Sequence, residues 1–236
     1  MADMTQQDQE SRRNKQLVMI WCAVIVAFIG SMIAIVKFSN TTPQVETKAP
    51  IPDVAVITDA DHFKGGKDAK AVLLEYSDFE CPACGLYFPL VKQLHMAFGD
   101  KIKIVYRHFP LVLATNGKMH LHSADAAQAS EAANVQGKFW EMHDMLFTHQ
   151  EEWAKEQSPR AKFLEYAKTI GLDVAKFEKD LDDPALRDIV VADFKSGEKA
   201  GVSATPTFFL NGKQLDQPKG LDDLKNQVQA ILDTAK

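Results

Sequence analysis

Residues 17–36, LVMIWCAVIVAFIGSMIAIV, run for twenty positions without a charge. Wound as a helix at ~1.5 Å per residue, such a run crosses the ~30 Å hydrocarbon core of a bilayer. It therefore reads as a membrane span and not as part of a soluble core. A cleaved signal peptide is the competing reading, but the apolar stretch is longer than a usual signal core and no clean small-residue cleavage site follows it. Residues 17–37 are expected to be an uncleaved transmembrane anchor, with 1–16 a short N-terminal tail. Arg12, Arg13 and Lys15 precede the run, while Lys37 and Lys48 follow it. That bias favours a cytoplasmic N-terminus and a C-terminal part outside the cytoplasm. Cys22 falls within the run and reads as an apolar span residue.

Residues 38–53 mix polar side chains with Pro43, Pro50 and Pro52, a composition that stays extended as a linker. This leaves residues 54–236 to fold as a domain. The chain is 46% hydrophobic and 25% charged, which suits a globular protein with an ordinary core. A net charge of -5 provides no basic footprint, so nucleic acid is not expected as a partner.

Within the domain, AVLLEY (71–76) reads as a buried strand, and Leu86, Leu90, Leu94 and Phe98 then recur at helical spacing. KIKIVYRHF (101–109) is a second strand, so the domain opens as strand, helix, strand, the start of an α/β fold. The alanine-rich HSADAAQASEAANVQ (122–136) begins a helical block that Gly137 interrupts and KFWEMHDMLFTHQ resumes. Asp183 is an N-cap before Pro184 at the first helical position, and Gly201 is placed to end that helix. TPTFFLNGKQL (205–215) returns to strand with an Asn211-Gly212 hairpin turn. Leu221, Leu224, Val228, Ile231 and Leu232 form one face of a closing amphipathic helix.

Chemistry concentrates in ECPAC, where Cys81 and Cys84 are separated by Pro82 and Ala83. A zinc clip needs about four ligands. No second cysteine pair exists, and His120-x-His122 is the only close pair among seven histidines, so no metal is expected. A structural disulfide closing so short a loop would remove little unfolded-state entropy. Redox work is the more economical reading. Cys81 falls where a strand and its short loop enter a helix, with Pro82 at a favoured first position. Free backbone N–H groups and the positive helix end there favour thiolate, so Cys81 should be the acidic, attacking thiol and Cys84 the shielded, resolving one.

The segments EYSDFECPAC, Pro89 in the first helix, the long helical insertion and GVSATPTFFLNG together resemble the DsbA-like thiol:disulfide oxidoreductases of the thioredoxin superfamily. The resemblance implies a thioredoxin fold carrying a helical insertion at about 112–200, here preceded by a single N-terminal transmembrane helix. It implies a cis-proline loop at Thr205-Pro206 that faces the cysteines and pairs with extended substrate. It also implies that Glu75 is a buried acid relaying the proton of Cys84. Glu80, by contrast, reads as a solvated loop charge, and His108 as a satisfied structural histidine. One departure stands out: DsbA has a histidine where this chain has Ala83, and alanine cannot hold a thiolate through its side chain. The expected activity is oxidation of cysteine pairs in exported proteins by the Cys81–Cys84 disulfide. No cofactor is expected, and a membrane redox partner is implied for reoxidation. The alternatives are the same fold acting as a reductase or isomerase, and an anchored client-binding module whose cysteines are incidental.

Overall fold

The computed structural model describes residues 57–58 and 60–234, all within the unit Thr47–Lys236. The expected tail, anchor and linker, residues 1–53, lie outside the described residues. Among the described residues no helix is long and apolar enough to cross a membrane.

Strands β1 (His62–Gly65), β2 (Ala71–Ser77), β3 (Ile102–His108), β4 (Thr207–Leu210) and β5 (Lys213–Gln214) form one mixed sheet in the order β1-β3-β2-β4-β5. β2 and β3 are parallel, with Ala71 opposite Ile102 and Ser77 opposite His108. Parallel neighbours need a crossover, and helix α1 (Pro82–Phe98) supplies it. The second strand begins one residue later than its apolar pattern begins, because Gly99–Lys101 forms a 3-10 turn. β4 runs antiparallel to β2 and turns into β5 through Asn211 (φ 48°) and Gly212 (φ 78°), the left-handed pair that an Asn-Gly hairpin requires.

Alternation along the strands divides the side chains between the two faces of the sheet. Ala71, Leu73, Ile102, Ile104, Phe208 and Leu210 pack with Val91 and Leu94 of α1 and with Leu224 and Val228 of the C-terminal helix α9 (Leu221–Thr234). Leu74, Tyr76, Val105 and Phe209 pack on the other side, against Phe109, Phe194 and Val202. The leucine stripe of α1 behaves differently from its sequence pattern. Steps of four residues advance about 40° beyond a full turn each, so the stripe drifts round the helix. Cys84 and Val91 face inward, and Leu86 is turned out at 74% exposure.

Helices α2 (Leu111–Ala114), α3 (Ser123–Asn134), α4 (Phe139–Thr148), α5 (Gln150–Trp153), α6 (Arg160–Thr169), α7 (Val174–Asp180) and α8 (Pro184–Lys199) all fall between β3 and β4. Their core centres on α3, whose Ala126, Ala129, Ala132 and Ala133 are fully buried and let Trp153, Phe163 and Phe177 approach closely. Asp183 caps α8 by accepting the Ala185 N–H at 2.9 Å, and Gly201 follows its end at φ 79°. Phe79, Cys81 and Cys84 belong to this helical core. The two cysteines thus sit where the inserted helices meet the sheet.

Candidate active site

β2 ends at Ser77, and the chain turns through Asp78, Phe79 and Glu80 into α1. Cys81 is the N-cap residue, with extended backbone (φ -73°, ψ 120°), and Pro82 begins the helix. Asp78 organises the turn. Its carbonyl accepts the Cys81 N–H at 3.1 Å, its Oδ1 the Glu80 N–H at 2.7 Å, and its Oδ2 the Leu111 N–H at 2.8 Å. The same Oδ2 lies 2.8 Å from Nδ1 of His120. From the far side Gln150 donates to the carbonyls of Phe79 (2.7 Å) and Cys81 (2.9 Å). A side chain at Gly85 would meet Gln150 Oε1 at 2.7 Å, so the glycine makes room for this clamp. Glu80 is not the solvated charge expected from sequence: its Oε2 accepts the His122 N–H at 2.8 Å, and partial burial pushes its carboxyl up.

Both cysteines are thiols in this structure, Cys81 at 6% exposure and Cys84 at 0%. The Cys81 Sγ lies 3.4 Å from the carbonyl oxygen of Thr205, and the Thr205–Pro206 bond is cis. The Cys81 thiol is pulled down to about 6, first by a hydrogen bond from the Cys84 thiol. Burial opposes that shift, while the Thr205 side chain and the backbone N–H groups of Cys84 and Ala83 reinforce it. Thr205 Oγ1 is buried and has no hydrogen-bond partner among the described residues, so no other group competes for it. Cys84 moves the opposite way, well above the ordinary thiol range, chiefly because it is buried and also because it gives its hydrogen bond to Cys81. Pro82 is exposed, and Ala83 contributes its N–H but no side-chain donor.

Glu75 projects from β2 beneath the cysteines, 4% exposed, and burial raises its carboxyl to about 7 against weaker opposition from Ser77 and Lys64. Its charge also acts on Cys84. Glu75, Lys64, Tyr106, Trp140 and His143 line a cavity of about 10 Å³, room for roughly one water. Burial holds His143 down to about 4, so its imidazole is neutral at physiological pH. On the solvent side a groove of about 500 Å³ runs beside Pro82, Gly85 and Leu86 and along Phe147, Thr148 and Gln150.

The structure therefore brings together Cys81, Cys84, Pro82, Ala83, Glu75, Thr205 and Pro206, all singled out in the sequence. Sequence reasoning missed Asp78, Gln150 and Lys64, and weighed His120 only as half of a metal pair with His122. Asp78, three residues before Cys81, carries a local turn signal; Gln150, Lys64 and His120 arrive from distant elements and have no signal near the cysteines. His108, read as a satisfied structural histidine, pairs through Nε2 with Glu131 at 2.9 Å, but its buried Nδ1 has no partner among the described residues.

Comparison with known proteins agrees with this geometry. The Na(+)/H(+) antiporter NhaA 3 of Salinispora tropica is 36% identical over 183 residues, which is 78% of this chain and 26% of that protein. The chain thus spans about a quarter of the length of the curated relative it matches. Among solved structures, oxidised BdbD from Bacillus subtilis superposes with a TM-score of 0.65 at 21% identity, over 80% of this chain and 98% of that one. The thiol-disulfide exchange protein alpha-DsbA2 from Wolbachia pipientis gives 0.63 at 19% identity, over 75% of this chain and 90% of that one. These likenesses establish a thioredoxin-like α/β fold with a mixed sheet and helices. The family model described as Thioredoxin matches residues 58–230, so the chain belongs to the thioredoxin family.

Proposed function

We propose that this chain is a membrane-anchored thiol:disulfide oxidoreductase working outside the cytoplasm, and that its main reaction is to oxidise cysteine pairs in exported proteins. The observation that carries the chemistry is the opposed pair of thiols: Cys81 held near 6 at a helix N-cap, and Cys84 one turn deeper and held protonated. In the oxidised enzyme a substrate thiolate attacks the Cys81 sulfur. The Cys81–Cys84 bond breaks, its electron pair goes to Cys84, and a mixed disulfide forms through Cys81. Glu75, which binds a proton near neutral pH, supplies that proton to Cys84. A second substrate thiolate then attacks the substrate sulfur of the mixed disulfide, and Cys81 leaves as thiolate. The substrate gains a disulfide, and the enzyme gains two electrons.

A stabilised Cys81 thiolate also stabilises the reduced dithiol, which makes the disulfide the stronger oxidant. The Thr205 backbone beside the Cys81 sulfur supports docking of an extended substrate stretch. Reoxidation is assigned to a membrane partner. Ala83 favours a second reading, a reductase or isomerase fed by a membrane reductant, since it withholds the imidazole that supports the strongest oxidants. We assign the ion transport named for the curated relative to the three quarters of that protein this chain does not match.

The deciding experiment is the redox potential of Cys81–Cys84 in the full chain, equilibrated against glutathione. A value well above thioredoxin's ~-270 mV supports disulfide donation, whereas one near or below it makes the chain a reductase. Unchanged client maturation by Cys81→Ala would leave only a client-binding module. Protease added outside the cytoplasmic membrane should digest the domain and spare an N-terminal tag, and a protected domain would overturn the placement.

A further inference from the structure

Three elements bring one metal-ligating side chain each to a single point, across the Phe79 ring from the cysteine turn. His62 comes from β1, His108 from the last position of β3, and Glu131 from α3. His62 Nε2 lies 2.6 Å and His108 Nε2 2.9 Å from the same oxygen, Glu131 Oε1. Side-chain exposure is 10% for His62, 1% for His108 and 0% for Glu131. One donor atom from each residue lies within 4.8 Å of the other two. We propose that His62, His108 and Glu131 form a structural site for one divalent transition-metal ion, zinc foremost, which ties β1 and β3 to the inserted helices.

The donor set selects the ion. Two imidazole nitrogens and a carboxylate suit zinc and its transition-metal neighbours, whereas calcium and magnesium call for shells built from oxygen. Glu131 is completely buried, and both imidazole nitrogens converge on one of its two oxygens. A buried carboxylate of this kind is normally paired or bound to a metal. Its second oxygen, Oε2, is buried with no hydrogen-bond partner among the described residues. That oxygen is free to chelate, or to leave the fourth position to water. Asp193 from α8 accepts the His108 backbone N–H at 3.0 Å, which fixes the end of β3 that carries this ligand.

The rings are also held in place. His62 stacks on Phe139 with centroids 3.6 Å apart and planes 9° from parallel, and Phe79, Tyr106 and Phe139 surround His108 at 5.4–6.0 Å. Metal-bound histidines are usually oriented by a hydrogen bond at the other nitrogen. His108 Nδ1 has none among the described residues, so aromatic packing takes that role. An ion ~2.0–2.1 Å from each donor requires the nitrogens to move out from the oxygen by about half an ångström. Near-complete burial of all three side chains makes this a structural site and not a catalytic one. The sequence reading expected no metal because it considered only C-x-x-C and His120-x-His122, neither of which takes part.

The test uses the full chain without a histidine tag, carrying Cys22→Ser, stripped of metal and oxidised so that Cys81 and Cys84 cannot ligate. It is titrated with cobalt(II) and then with zinc(II). The expected result is one equivalent of cobalt with visible ligand-field absorption, displaced by zinc, and a higher unfolding temperature with zinc. His62→Gln and Glu131→Gln should each weaken zinc by about tenfold or more, while His95→Gln on α1 leaves it unchanged. Should Glu131→Gln fail to fold, the stoichiometry of the parent chain and His62→Gln decide. No cobalt bound by the oxidised parent chain, or binding unaltered in His62→Gln, overturns the proposal and leaves an ion-free hydrogen-bonded triad. None of these readouts depends on thiol exchange.

Discussion

Glu75→Gln should abolish the pH dependence of stability that a buried acid imposes. Burial raises the Glu75 carboxyl from its ordinary 4.5 to about 7, so the folded chain binds that proton more tightly than the unfolded chain does. The stability this contributes is fully present below about pH 4.5, declines as pH rises, and is lost once pH passes about 7. A rise of about 2.5 units at ~1.36 kcal/mol each amounts to about 3 kcal/mol. Glutamine keeps the shape of the side chain and removes the titration. Wild type and variant, both oxidised at Cys81–Cys84, would be unfolded in urea at intervals from pH 4 to 8.5. Titrations common to both proteins cancel in the difference. That difference should shift by about 3 kcal/mol in favour of the variant across the range, equivalent to ~6–12 °C in Tm for a domain of this size. Curves that stay parallel within ~0.5 kcal/mol would refute the reasoning, because Glu75 would then be ionised at little cost and could not store the proton that Cys84 needs.

Alkylation of Cys81 by iodoacetamide should titrate with a midpoint near pH 6, with Cys84 unreactive throughout the neutral range. Cys84→Ala removes the main support of the thiolate and should move that midpoint from about 6 toward the ordinary 9.0. The His120 imidazole is raised by Asp78 and further by the Cys81 charge, against burial; if the two groups are coupled in this way, His120→Ala should raise the Cys81 midpoint and lower the redox potential together. Gln150→Ala loses two hydrogen bonds to the cysteine turn and should cost ~1–3 kcal/mol in urea unfolding. Gly197→Ala would place a methyl 2.6 Å from the Phe109 ring inside the core and should cost ~1–3 kcal/mol by the same assay.

Local chemistry was legible in the sequence wherever the signal lay within a few residues. Cys81 before Pro82, Asp183 before Pro184 and Asn211-Gly212 each state a backbone geometry in two letters, and each is found. The apolar runs of β2 and β3 announced buried strands because both faces of this sheet are covered. Residues acting over long separations were not legible. Gln150 lies 69 positions from Cys81 and Glu131 lies 69 from His62, and nothing near the cysteines reports either. Glu80 was misread for a related reason: whether a loop carboxylate is solvated depends on which backbone N–H the fold delivers to it, here that of His122.

Ala83 illustrates how position can matter more than residue type. Judged by composition, the missing imidazole weakens the case for an acidic Cys81. Yet the supports of the thiolate are the Cys84 thiol, the Thr205 side chain and two backbone N–H groups. Residue 83 contributes through its backbone, which any residue except proline could offer. His120, whose imidazole is raised by Asp78 and by the Cys81 charge, arrives from the loop before α3 and is fixed by Asp78, the residue that also shapes the cysteine turn. Acidity at Cys81 is therefore coupled to the packing of the inserted helices: His120 leads into them, Gln150 extends from them, and Cys84 is buried among them. Loosening that layer would expose Cys84, weaken its hydrogen bond to Cys81 and shift the two thiols toward each other, so the difference in their pKa values reports how tightly the insertion is docked on the sheet.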